Sequence, residues 1–247
     1  EWLADEWLRV TLMNERQMMA SEVHDSIAKG LTYMRMRMSL LSDAIRLALR
    51  ELGVETEYFA SLECADLTPR LRRNTRVIYV ESPGSLTFDI QDLRAVARVA
   101  HAHGITTMIE NHGFFFQDSD RVEALINKVG NPNFGALVDI GNFLCADEEP
   151  VRAVKRMAPY AFHVHAKDFH VKCPGADPGE GWFRSRGGTP LRGAIVGHGN
   201  VNIRRCIEIL KESGYDGFLS IEFEGMEDNR RALEIGLANL KRYCEDL

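Results

Sequence analysis

Cysteine is scarce in this chain and shows no sign of pairing. Cys64, Cys145, Cys173, Cys206 and Cys244 are odd in number and far apart, and no CxxC occurs. That argues against a disulfide framework or a zinc knuckle and fits a reducing, cytoplasmic setting. Long apolar runs are missing too: none approaches the roughly 20 residues of a membrane span, so no membrane partner is expected. No signal-peptide pattern opens the sequence at Glu1. There is no basic block either. The densest run is RLRRNTR (70–76) and the net charge is -6, so a nucleic-acid partner is not expected. Proline is absent from residues 1–49, which hold a single glycine, Gly30.

What is present is ordinary globular composition: 247 residues, 45% hydrophobic and 27% charged. That is enough for one large core or two smaller ones. In residues 1–49 apolar side chains recur at Val23, Ile27, Leu31, Met34, Met38, Leu41, Ile45 and Leu49. Steps of three and four predict one face of a long helix, rich in adaptable methionine and suited to a helix–helix interface.

Residues 50–104 change character. VETEYF (54–59) and RVIYVE (76–81) read as short strands, and SPGS (82–85) as a turn. DIQDLRAVARVAHAHG (89–104) reads as an amphipathic helix with Asp89 as N-cap and Gly104 as its stop.

From residue 105 onward a rhythm sets in. Strands are expected at 105–113, 134–142, 161–168 and 217–225, and helices near 118–129, 147–158, 202–213 and 227–244. Alternating strand and helix predicts an α/β fold with parallel strands, here four βα units or half of a TIM-like barrel. One long connection, 169–201, interrupts it. It is rich in glycine and proline and reads as a functional or disordered loop. The segments therefore read as 1–49, 50–104 and 105–247.

Each of the four strands ends in polar chemistry. Strand alternation puts Glu110 and His112 on one face of the first strand, Asp139 on the second, His163, His165 and Lys167 on the third, and Glu222 and Glu224 on the fourth. Parallel strands align such ends at the face where α/β barrels assemble active sites. Three converging carboxylates would repel one another, and a divalent cation removes that conflict. Oxygen donors with one imidazole suit Mn²⁺, Mg²⁺ or Co²⁺, with Zn²⁺ also compatible. His165 is nearer the strand end than His163 by about 6.6 Å, the rise of two residues, which makes it the better ligand.

IENHG, LVDIGNF, HVHAKDF and SIEFEG, in this order, resemble the C-terminal half of the xylose isomerase-like barrels, the sugar phosphate isomerase/epimerase superfamily. The resemblance implies a metal held by Glu110, Asp139, His165 and Glu222, with the two glutamates as acid and base on a sugar carbon. It also points to His198, in VGHGNVN, as approaching a sugar or sugar phosphate substrate. Several members carry a histidine three residues after the strand aspartate, and here that position is Asn142. With it, His112, His163, Lys167, Arg184 and Arg186 complete the expected substrate-contacting set.

Two further resemblances concern the first 104 residues. Residues 15–41 resemble the dimerisation and phosphoacceptor helix of nitrate-sensor-type histidine kinases, with His24 at the phosphoacceptor position. Residues 52–104 resemble part of the cystathionine lyase family of pyridoxal-phosphate enzymes. Those need a Schiff-base lysine and a pyridine-binding aspartate. Where the aspartate would fall the chain has Glu110 and Asn111, and no lysine motif follows, so no pyridoxal phosphate is expected. The chain thus reads as a chimera. A half-barrel exposes strand edges, which predicts a homodimer or cover from residues 1–104. Two functions compete: a metal-dependent isomerase or epimerase, and a catalytically inactive half-barrel carrying a dimerisation and phosphoacceptor module.

Overall fold

A computed structural model describes residues 46–47, 49–59, 63–64, 66–80, 82, 90–113 and 115–246. The stripe from Val23 to Ile45, His24 and the expected cap Asp89 lie outside the described residues. The chain divides into two compact units, one of residues 1–64 and 80–91, the other of 65–79 and 92–247.

The first α-helix of the second unit is α1 (Leu93–Ala102), capped by Asp92, whose carboxylate accepts from Ala95 N at 3.0 Å. It buries Ala95, Val96, Ala97 and Ala100, the inward face of an i, i+4 pattern. There follow β1 (Thr107–Glu110), α2 (Ser119–Val129), β2 (Phe134–Asp139), α3 (Pro150–Met157) and β3 (Ala161–Ala166). Glu149 caps α3 through Val151 N and Arg152 N, and Pro150 occupies the first turn, where its missing N–H costs nothing. Then come β4 (Asp168–Val171), β5 (Phe183–Arg184), β6 (Pro190–Ala194), α4 (Ile203–Glu212), β7 (Leu219–Ile221) and α5 (Asn229–Glu245).

The main sheet runs β1-β2-β3-β7 and every pairing in it is parallel. Ala136, Val138, Val164 and Ala166 point to one side, where they share a core with Val122 and Ile126 of α2, Val154 and Met157 of α3, Leu210 of α4 and Leu240 of α5. The opposite side is less covered. Met108 is exposed, and Leu137, His163, His165 and Ser220 are half-buried. β2 and β3 approach so closely that a Cβ on Gly135 would stand 2.6 Å from the Tyr160 carbonyl oxygen.

Two expectations need correction. Residues 54–59 and 76–80 form no strand. Val77 and Tyr79 are exposed, so the alternation there finds no sheet to pack on. Strand propensity measures fit to a pleated, half-buried surface, and that surface is absent among the described residues. The connection 169–201 is not a loop: β4, β6 and β5 form a separate antiparallel sheet in that order. One face of it is apolar, with Phe169 and Leu191 buried and the Phe169 and Phe183 rings edge-to-face at 5.6 Å. Among the described residues, no helix is long and apolar enough to cross a membrane.

Candidate metal centre

The strand register decides which side chains meet. Asp139 pairs with His165, and His165 with Ser220. Glu222 lies just past the end of β7, its N–H donating to Ala166 O at 3.1 Å. Glu110 pairs with Leu137, two residues short of Asp139. The central strands thus bring a short carboxylate and an imidazole to one level, and the flanking strands reach in with longer glutamates. The four residues offer ligand atoms that all lie within 4.8 Å of one another. His165 Nδ1 is the hub, 2.9 Å from Glu222 Oε2, 3.6 Å from Glu110 Oε1 and 3.8 Å from Asp139 Oδ2.

Asp139 is fully buried and its two oxygens differ. Oδ1 accepts from Asn142 N at 2.8 Å, whereas Oδ2 is buried without a hydrogen-bond donor. An orphaned carboxylate oxygen calls for a proton or a cation. Burial pushes the Asp139 carboxyl up to about 8, against the pull of Lys167. Burial would raise Glu222 as well, but its contacts with Asp139 and Lys167 bring it down to about 2. The two acids compete for a proton, and the Lys167 ammonium and the His165 imidazole are the groups beside both that favour their ionised forms. Contact with Glu110 raises the His165 pKa, against burial. An oxygen-rich set with one imidazole and an unsatisfied buried oxygen fits a divalent ion.

Around this cluster the sequence-derived candidates separate. His163 pairs with Leu137, one layer below; its Nε2 meets Ser220 Oγ at 2.8 Å and its ring lies edge-on to His165. Burial lowers its pKa. Lys167 is buried, its ammonium 3.0 Å from Glu222 Oε1 and 3.1 Å from Glu224 Oε2. Asn142 is buried beside it and accepts from Lys167 Nζ at 3.2 Å. Arg184 donates to Gly188 O, and Arg186 is paired with Asp118 at 2.6 Å, tying the small sheet to the cap of α2. His112 and His198 are exposed.

Two supporting residues were not singled out from the sequence. Asn111, on the apolar face beside Glu110, grips the end of β2: its Nδ2 donates to Asp139 O at 2.9 Å and its Oδ1 accepts from Asp139 N at 2.7 Å. Asp168 accepts from the backbone N–H groups of Phe169, Gly197, Gly199 and Val201. A polar residue on the buried face of an apolar strand end was the available signal for Asn111.

A family model described as "Xylose isomerase-like TIM barrel" matches residues 44–243, and one described as "Histidine kinase" matches residues 15–57. A putative cystathionine beta-lyase from Rhizobium johnstonii is 43% identical over 63 residues, which are 26% of this chain and 16% of that protein. The uncharacterized protein MJ1311 of Methanocaldococcus jannaschii is 27% identical over 159 residues, covering 62% of this chain and 47% of its own length. A xylose isomerase-like TIM barrel protein from Mycobacterium smegmatis, solved in complex with magnesium, superposes with a TM-score of 0.50 at 22% identity over 61% of this chain and 48% of that one. The chain therefore spans about half the length of MJ1311 and of the Mycobacterium smegmatis protein, and less than a fifth of the lyase.

Proposed function

The chain belongs to the xylose isomerase-like TIM barrel family, and from that premise we propose that it is a divalent-metal-dependent isomerase or epimerase acting on a sugar or sugar phosphate. The observation that carries this reading is the convergence of Glu110, Asp139, His165 and Glu222 around a buried carboxylate oxygen that has no donor. These four would hold Mn²⁺, Mg²⁺ or Co²⁺, with Zn²⁺ also compatible. A bound ion supplies a Lewis acid for a carbonyl and its neighbouring hydroxyl. Glu110 and Glu222 extend from the flanking strands β1 and β7. They would take a proton from one carbon and return it to the next or to the other face, through an enediolate. Asn111 and Asn142 fix the Asp139 backbone and carboxylate. Elemental analysis of the purified protein, followed by Mn²⁺ titration of chelator-treated material, tests the reading. One ion per chain, lost in Asp139→Asn, is expected, and a protein that takes up no divalent metal sinks it.

Among the described residues the sheet has four strands, where a closed barrel of this kind has eight. Exposed Met108 on β1, Phe218 just before β7, and Leu233 and Leu237 on α5 fit a homodimer in which a second copy covers these side chains. Sedimentation velocity tests it, with a purely monomeric protein as the adverse result.

A second reading rests on the histidine kinase match to residues 15–57, which includes His24. In it the chain is a chimera of three segments, 1–49, 50–104 and 105–247, whose N-terminal helix dimerises and accepts phosphate while the half-barrel is inactive. Acid-labile phosphate on His24 after incubation with a kinase ATP-binding domain, in a protein that binds no metal, would favour it.

A further inference from the structure

Lys167 was expected to meet substrate, yet the structure gives its ammonium no opening to do so. Residue and side chain are 1% and 2% exposed, and the charge is enclosed by protein groups. Nζ lies 3.0 Å from Glu222 Oε1, 3.1 Å from Glu224 Oε2, 3.2 Å from Asn142 Oδ1 and 3.7 Å from Asp139 Oδ2. Its stem crosses the end of β2 where the chain has Gly141: a Cβ there would stand 2.9 Å from Lys167 Cγ and 2.8 Å from the Lys167 carbonyl oxygen. Lysine, asparagine and glycine are therefore fitted to one another beneath the candidate ligands.

The oxygens of Glu222 are divided by this arrangement. Oε1 faces Lys167 Nζ at 3.0 Å and Oε2 faces His165 Nδ1 at 2.9 Å. Resting on the metal-centre reading, we infer that Lys167 is a positioning residue, a fixed internal cation that claims one oxygen of Glu222 and leaves only the other for a divalent ion. Glu222 then ligates through a single oxygen, and coordination positions remain for a substrate's oxygens. Lysine acts as a compact point charge with rotatable donors, whereas the planar fork of arginine demands a different set of acceptors.

The test is Mn²⁺ titration by calorimetry and the visible absorption of the Co²⁺-loaded full chain, for the wild type, Lys167→Met and Lys167→Arg. Positioning predicts weaker Mn²⁺ binding in Lys167→Met, by the roughly 10- to 100-fold typical of a lost supporting contact. It also predicts a changed Co²⁺ band, because Glu222 is free to chelate through both oxygens. Lys167→Arg keeps the charge but not the geometry and should show a smaller loss and an altered band. If Lys167 only offsets charge, removing it tightens metal binding and Lys167→Arg behaves as wild type; either result overturns the inference. Should Lys167→Met not fold, the arginine variant decides alone. A wild type that binds no metal would instead sink the metal-centre reading on which this rests.

Discussion

Replacing Asp168 by alanine tests how the small antiparallel sheet is joined to the barrel strands. Oδ1 accepts from Phe169 N at 2.8 Å and Val201 N at 3.0 Å, and Oδ2 from Gly197 N at 3.0 Å and Gly199 N at 2.8 Å. One carboxylate thus pins the turn that carries His198 against the start of β4. Gly197 is exposed and Gly199 half-buried, so their freed N–H groups largely regain water. Phe169 and Val201 are buried, and theirs do not. Two orphaned buried donors at about 1–3 kcal/mol each give a loss of about 2–6 kcal/mol. That is a large part of the roughly 5–15 kcal/mol that holds a domain folded. Urea unfolding of wild type, Asp168→Ala and Asp168→Asn measures it, and the asparagine, with one acceptor oxygen left, should recover about half. Burial holds the Asp168 pKa above the ordinary carboxylate value, against its backbone donors. Its linked stability is therefore full below the unfolded pKa of about 3.9 and is lost as pH rises through the higher folded value. Asp168→Asn should remove that slope. A loss below about 1 kcal/mol in Asp168→Ala, with an unchanged denaturant slope, would refute the count of orphaned donors.

Three other outcomes are expected. His165→Ala should weaken Mn²⁺ binding well beyond the roughly 10- to 100-fold of a supporting contact, and His163→Ala should stay within it; calorimetry showing equal losses would mean that the two imidazoles act together. The Asp118–Arg186 pair should stabilise the protein by no more than about 1 kcal/mol. Burial would raise the Asp118 pKa, but Arg186 brings it below the ordinary value, so this contribution is present above that value and lost as pH falls through the lowered one. Thermal unfolding of wild type and Asp118→Asn should differ at pH 6 and converge once pH falls below the lowered Asp118 value. Incubation with pyridoxal phosphate should give no internal Schiff-base band, and a stoichiometric band trapped by borohydride on one lysine would show the opposite.

The repeating part of the fold was legible because two signals agreed at each unit: an apolar run ending in polar residues, then an amphipathic helix. Where only one signal was present, reading failed. VETEYF alternates well enough to suggest a strand, but propensity cannot supply a neighbour to pair with. The small sheet was hidden for the opposite reason. β5 is the two residues Phe183 and Arg184, set among glycines that read as loop, and its partner β6 begins with proline. Such strands owe their pairing to side chains that share one face of the sheet, Phe169 of β4 and Phe183 of β5 with Leu191 of β6, contacts that exist only after the chain has folded back. In the candidate site, strand parity placed Glu110, Asp139, His165 and Glu222 on the polar faces together with His112, His163, Lys167 and Glu224, and the resemblance to the xylose isomerase-like barrels, rather than alternation alone, singled out the four. Parity could not say that Lys167 turns inward to Glu222 and Glu224, because that depends on Gly141 leaving room on the adjacent strand.

The choice of acid at each strand end follows from the same register. Asp139 stands on a central strand directly beside His165, so the shortest carboxylate reaches the hub. Glu110 starts two residues lower, opposite Leu137, and Glu222 starts beyond the last pair of β7. Each needs the additional methylene to arrive at the same point. Asn111 holds the β1 and β2 ends together through both atoms of one amide, so the reach of Glu110 is measured from a fixed origin. Lys167 serves the other flank in the same way through Glu222. Glu110 lies on one edge strand and Glu222 at the end of the other, where the sheet itself gives least support. Asn111 and Lys167 meet the need created there: a side chain must be held by something other than neighbouring strands if it is to keep its place in the cluster.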